Sequence, residues 1–319
     1  MMQNLRMATS GNVKAASTQY APVTDDARSP LLRDAGVEEG GMLGPNTIAR
    51  RTSDGLEVFP IIHPDRRRPK FDFPKALRHF SVIVRDKERT DEVFGYFDAL
   101  PWRSVGETAA AFLATEKGQR IFQTEPFLPD IMDDHATLRQ MPKGSFAQAY
   151  CDFMEAEGLT AYGIVEESNV TRKGVERLND GVEWYNDRLR DVHDIIHVLT
   201  GYGRDTLGEQ CLFVWQSHQR PCPGRLSISW IAMLLMKAKL RTKAPFFRAY
   251  LQARRDGQVT QRLAEQPILE LLPLPLEEVR RRLNIPEPTK YLKVLEIWRS
   301  EGINPHVLLG RPDAEATAS

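Results

Sequence analysis

Cysteine is scarce, with three among 319 residues. Cys151, Cys211 and Cys222 are odd in number and lack metal-type spacing, which excludes a disulfide-stapled scaffold and points to a reducing compartment. Long apolar runs are missing as well. The most apolar stretch, Ile228 to Met236, falls far short of the ~20 residues needed to span a bilayer, so it reads as a buried or interfacial helix. Charge of one sign is not in excess: 43 basic and 43 acidic residues cancel. No global field therefore recruits nucleic acid, and any basic partner surface has to be local. No strand pair with hairpin turn chemistry and no internal repeat is apparent.

What is present suits a helical domain. With 41% hydrophobic and 27% charged residues, the chain can bury one sizeable core, and we expect an all-α, single multi-helix domain over residues 71–310. Residues 1–70 are rich in Ser, Thr, Gly, Pro, Asp and Arg without an apolar period, and read as a disordered extension or one loosely applied to the domain. Residues 1–24 hold no acid, a weak match to a transit peptide beside the plainer reading of a simple extension. Residues 311–319 read as a disordered tail. Within the domain, Ala76, Leu77, Phe80, Ile83 and Val84 keep a helical period, and a second helix carries Val93, Phe94, Phe97 and Leu100 before Pro101 ends it. Another runs from Ser145 to Glu157.

Behind Ile228 to Met236 come Lys237, Lys239, Arg241, Lys243, Arg248, Arg254 and Arg255 with no acid between them, interleaved with Phe246, Phe247 and Tyr250. A basic, aromatic segment next to an apolar helix over 228–255 suits peripheral contact with anionic lipid; the plain alternative is a solvated cationic face. Nothing accompanies it that would mark a nucleic-acid recognition module.

The chemistry is concentrated in His193-Asp194-Ile195-Ile196-His197, followed after eleven intervening residues by Glu209. Apolar spacing predicts a helix from Trp184 to Leu199, with His193, His197 and Asp194 in one quadrant and Asn186 and Arg190 in the same stripe. Histidines at i and i+4 can reach one ion. Gly201 and Gly203 stop the helix, and a second, starting near Asp205 or Thr206, forms a tight hairpin that returns Glu209 to the ligand face. Two imidazoles and two carboxylates at that geometry suit a divalent metal. Each has a plain alternative: solvent-facing histidines, a solvating Asp194, and a capping box Thr206-Leu207-Gly208-Glu209 in which the glutamate only closes the helix start. A zincin protease needs Glu where Asp194 stands, and nothing around His135 and Asp256 supports a phosphohydrolase dyad.

The stretch Val192 to Glu209, VHDIIHVLTGYGRDTLGE, resembles the signature of the coenzyme Q (ubiquinone) biosynthesis protein 4 family, bacterial type, and the resemblance extends loosely over Phe73 to Leu309. It implies that His193, Asp194, His197 and Glu209 ligate the metal and act as the catalytic set. It implies an all-helical fold and binding of a prenylated quinone precursor or isoprenoid lipid. The activity implied is a decarboxylase-type step that replaces the ring carboxylate at C1 by hydroxyl, and the alternative is a non-catalytic, lipid-binding scaffold with a structural metal. Partners implied are other ubiquinone-biosynthesis proteins and a second copy in a homodimer. The place implied is the bacterial cytoplasm at the inner membrane, or the matrix face of the mitochondrial inner membrane. Zinc is the first choice by resemblance, but zinc has no redox states, and two histidines with one carboxylate also match non-haem iron sites, so Fe2+ stays open. Arg190, one turn before His193, is a candidate substrate counter-ion, against the plain reading of a solvated arginine.

Overall fold

The computed structural model describes residues 46–53, 55–85, 89–172 and 176–306. Residues 1–45 of the expected extension over 1–70, and the expected tail over 311–319, lie outside the described residues. Among those described, the chain is helical apart from one antiparallel pair, β1 (Thr47–Thr52) and β2 (Gly55–Pro60).

That pair corrects the expectation of no strand hairpin. Its strands, TIARRT and GLEVFP, carry too few apolar residues to show an alternation, yet Ile48 and Ala49 are buried. The segment is then tied down by charge and backbone. Arg66 and the His63 amide bond to Asp180, and the Val182 amide donates to the Ile61 carbonyl at 3.1 Å.

The helices of the first part are α1 (Phe73–Arg85), α2 (Thr90–Ala99), α3 (Val105–Leu113), α4 (Glu116–Thr124), α5 (Leu128–Met132), α6 (His135–Leu138), α7 (Phe146–Glu157) and α8 (Ala161–Thr171). Then follow α9 (Gly181–Asp191), α10 (His193–Thr200), α11 (Thr206–Gln219), α12 (Pro223–Lys239), α13 (Phe246–Val259), α14 (Ile268–Leu271), α15 (Leu276–Leu283) and α16 (Thr289–Ser300). Many starts are sequence-encoded: Thr115, Ser145, Thr160, Asp180 and Asp205 each accept a hydrogen bond from an amide in the first turn that would otherwise lack a partner.

Two apolar clusters divide the interior. One gathers Ile48, Ile61, Phe97, Phe112, Phe122, Val182, Tyr185 and Leu189. The other gathers Tyr150, Val192, Ile195, Leu199, Leu212, Trp215, Tyr250 and Trp298. The expected continuous helix from Trp184 to Leu199 is interrupted at their seam: Val192, at φ −77° and ψ 2°, separates α9 from α10. Each half buries its apolar face in a different cluster, and the one-residue break lets each turn that face inward.

Candidate metal centre

His193 and His197 sit one turn apart on α10, their ring centroids 5.0 Å apart and nearly perpendicular. Gly201, at φ +74°, ends the helix in the left-handed conformation, and its amide donates to the His197 carbonyl at 2.9 Å. The chain then reverses tightly. A β-carbon on Gly208 would stand 2.0 Å from the Gly203 carbonyl oxygen, so the first turn of α11 can approach the connection only with glycine there.

Asp205 is the residue that caps α11, accepting from the amides of Leu207 and Gly208 at 3.0 and 3.1 Å. This sets aside the alternative of a capping box from Thr206 and Glu209: with the cap one residue earlier, Glu209 falls at the fourth helical position, past reach of the cap. Its carboxylate turns to His197 instead, Oε1 lying 3.4 Å from Nε2. Tyr291 of α16 braces the turn, its hydroxyl donating to Asp205 and accepting from the Gly203 amide at 3.0 Å.

Among the described residues, His193, His197 and Glu209 form a group whose ligand atoms all lie within 4.8 Å of one another. The His197 ring is fixed by its other nitrogen, since Nδ1 donates to the Tyr202 carbonyl at 2.8 Å, and Phe153 stacks on its face at 5.7 Å. Nε2 is then buried with no well-formed hydrogen bond, facing only the Glu209 carboxylate. That is the arrangement of a metal-bound histidine, oriented from behind and open in front. The 3.4 Å between Nε2 and Oε1 also fits, because two ligand atoms ~2.0–2.1 Å from one ion in a tetrahedral set are about 3.3 Å apart. The residues present therefore suit a divalent metal.

Electrostatics agree. Burial, with His197 adding to it, holds His193 down to about 3, a neutral ring able to ligate. Burial also opposes charge on His197, but the Glu209 carboxylate and the Tyr202 carbonyl outweigh it and leave His197 raised. Glu209 is lowered: burial works against its charge, and His197 more than compensates. A bound cation would take the place of the proton shared by this pair.

Asp194 does not join the three. Its carboxylate is buried near them but outside that 4.8 Å group, and burial pushes it up to about 6. The expected four-residue ligand set becomes three converging side chains. Arg190 is also placed differently from the solvated reading. It is buried, bonded to Asp191 and Asp187 at 2.7 and 3.1 Å, and lines a narrow cleft that opens on His193 between Phe94, Phe97 and Asn186. Two further residues of that cleft, Arg220 and Arg225, escaped sequence reading. They flank the short stretch Pro221-Cys222-Pro223-Gly224, which reads as a loop, and the only signal was two arginines without a nearby acid.

Residues 84–289, more than half the chain, match the family model described as Coenzyme Q (ubiquinone) biosynthesis protein Coq4. The chain belongs to that family. It is 25% identical over 193 residues to the mitochondrial ubiquinone biosynthesis protein coq4 of Aspergillus clavatus, covering 60% of this chain and 64% of that one. Against the mitochondrial COQ4 homolog of Bombyx mori, identity is 32% over 129 residues, covering 40% of this chain and 47% of that protein. The chain thus spans less than two thirds of either relative's length. A crystal structure from Nostoc punctiforme, described as a ubiquinone biosynthesis protein, is similar at a TM-score of 0.48 and 20% identity, over 68% of this chain and 99% of that one.

Proposed function

We propose that this chain binds a divalent metal through His193, His197 and Glu209 and acts in ubiquinone biosynthesis, exchanging the ring carboxylate of a polyprenylated hydroxybenzoate for hydroxyl. The observation that carries the reading is the buried Nε2 of His197, without a well-formed hydrogen bond and held toward Glu209 by the bond from Nδ1 to Tyr202. Three converging side chains favour an enzyme over a closed structural site, because a catalytic centre keeps a position open. A bound divalent ion would supply Lewis acidity toward a carboxylate or phenolate oxygen; zinc is the first choice by family, and the same donor set suits Fe2+.

The chain's own residues do the rest. Phe94 and Phe97 give the cleft apolar walls for an aromatic ring, Arg190 places positive charge at its edge, and Phe153 covers the outer face of His197. Asp194, buried beside the centre, is a second carboxylate available to it if the helix turns. The exchange is a two-electron oxidation: the bond from C1 to the carboxyl carbon breaks and a C1–O bond forms. With dioxygen as oxidant it balances as ring acid, water and dioxygen going to ring hydroxyl, carbon dioxide and hydrogen peroxide.

A second reading, a lipid-binding scaffold, draws on one feature. On α12, Trp230, Leu234 and Leu235 are exposed beside exposed Lys237, Lys239, Arg241 and Lys243, a face suited to anionic lipid at the membrane on which the other biosynthetic proteins assemble. No helix among the described residues is long and apolar enough to cross a membrane. A homodimer belongs to this same family-based reading.

The test is complementation of a strain lacking the step with wild type, His197→Ala and Glu209→Gln, reading accumulated intermediates by mass spectrometry and metal content on the purified proteins. Wild type should clear an intermediate that still bears its ring carboxylate, while both variants lose metal and leave it in place. Clearance by the variants would transfer the role to the scaffold reading.

A further inference from the structure

We infer that Arg220 and Arg225 form an anion subsite beside His193, built to hold the carboxylate of an aromatic acid against the metal centre. The inference deepens the function proposed above and rests on it.

Four guanidinium groups, those of Arg172, Arg190, Arg220 and Arg225, line the cleft on which His193 opens. Two are matched by acids. Arg172 reaches Asp187 at 3.0 Å, and Arg190 reaches Asp187 and Asp191. Arg220 and Arg225 are not: among the described residues neither forms an ion pair, and Asp98, which also lines the cleft, is exposed and pairs with neither.

Arg225 is only 8% exposed. One terminal nitrogen donates to the Gln216 side chain at 2.7 Å, and the guanidinium lies over the rings of Phe97 and Phe213 at 4.7 and 5.7 Å. Its Nε is buried without a partner, as is the Nε of Arg220. Burial, with the charge of Arg220 added, draws Arg225 down to about 9, and Arg220 is lowered by burial as well. A guanidinium presents a planar fork of donors that a carboxylate satisfies two at a time. Two such forks, one buried and one part-buried, line one cleft with an Nε of each unspent, the donor set that a carboxylate satisfies.

Placement ties the subsite to the metal centre. Glu209, Phe213 and Gln216 follow at i, i+4 and i+7 on one face of α11. The helix that supplies the carboxylate ligand also seats Arg225, and the Arg225 charge acts on both His193 and Glu209. A carboxylate resting on these forks would stand in the cleft beside His193.

Calorimetric titration of the full chain, metal-free and then zinc-loaded, with 4-hydroxybenzoate, neutral 4-hydroxybenzamide and inorganic phosphate tests this directly. The carboxylate should bind at least about ten-fold more tightly than the amide in both forms, the scale of a charge-assisted hydrogen-bond pair. Arg220→Met and Arg225→Met should each reduce that preference to about two-fold or less, and Arg225→Lys should keep part of it, since charge remains and the fork is lost. Equal affinity for acid and amide in wild type overturns the subsite without recourse to any variant. So does an undiminished preference in the folded Met variants, or phosphate binding more tightly than the carboxylate. The metal reading fails separately: His197→Ala that has lost its metal but still prefers the acid supports the subsite, whereas a protein that binds metal normally and does not discriminate loses the subsite alone.

Discussion

Arg188 and Arg225 are both buried guanidiniums, 2% and 8% exposed, and their surroundings differ in kind. Arg188 bonds to Glu125 at 2.6 Å and to the carbonyls of Ala264 and Gln266, while Glu125 in turn accepts from the Leu269 amide at 2.9 Å. Both charges are used to join α9 and α4 to the segment before α14. Arg225 has one amide and two aromatic faces, and no acid. A buried charge without a partner is disfavoured, so its place beside a group of side chains able to hold a metal is what the subsite inferred above would account for. The matched pair reads as architecture and the unmatched one as a receptor.

Removing partners should separate the two most clearly. Glu125→Ala strands the Arg188 charge, and we expect a loss of ~3–5 kcal/mol, as found when one half of a buried pair is removed; urea unfolding of the purified protein measures it. Tyr291→Phe comes next. It takes away the hydroxyl that bonds Asp205 and the Gly203 amide, which should cost about 1–3 kcal/mol and weaken zinc affinity in competition with a chelator, because the hairpin turn loses its brace. Arg225→Met should stay within about 1 kcal/mol of wild type, the relief of an unpaired charge offsetting the lost stack on Phe97 and Phe213. A loss as large as that of Glu125→Ala would place Arg225 with the architecture and break the comparison.

The smallest effect concerns an unpaired group of opposite sign. Asp256 has a buried Oδ2 without a partner, and burial raises its carboxyl to about 6 from 3.8. The folded state therefore holds the proton more tightly than the unfolded one. Its contribution is fully present below about 3.8 and is lost as pH rises through about 6. After discount for partial exposure this is about 1 kcal/mol or less. Asp256→Asn should flatten that part of the dependence of melting temperature on pH between about 4 and 7, read by thermal unfolding.

The contrast also explains what could be read before the fold was seen. His193, His197 and Glu209 were legible because helical spacing and a glycine stop are local, and local geometry alone brings the three together. The helices from α1 onward were legible for the same reason. Asp194 shares their quadrant but stands outside the converging group, because a quadrant on a helical wheel is coarser than the aim of a side chain. The capping box dissolved on a shift of one residue, from Thr206 to Asp205, which the pattern of oxygen-bearing residues leaves ambiguous. The β-hairpin was hidden because TIARRT and GLEVFP bury few side chains, and the segment that follows them is anchored on Asp180, more than a hundred residues away in sequence. Arg220 and Arg225 were hidden for a related reason: that an arginine is buried, and that no acid faces it, depends on which distant elements pack around it.

The brace on the hairpin turn has a consequence for the order of events in the cell. All three converging side chains are present once the ribosome has passed Glu209, but Tyr291, which fixes the turn between them, is added 82 residues later. During that interval the nascent chain holds the histidines and the glutamate on a turn with nothing behind it. The metal site proposed here would thus reach its final affinity only once the helix that carries Tyr291 is in place: a chain stalled or clipped before it would keep the His197 ring on the Tyr202 carbonyl and the Asp205 cap, but not the brace on the turn.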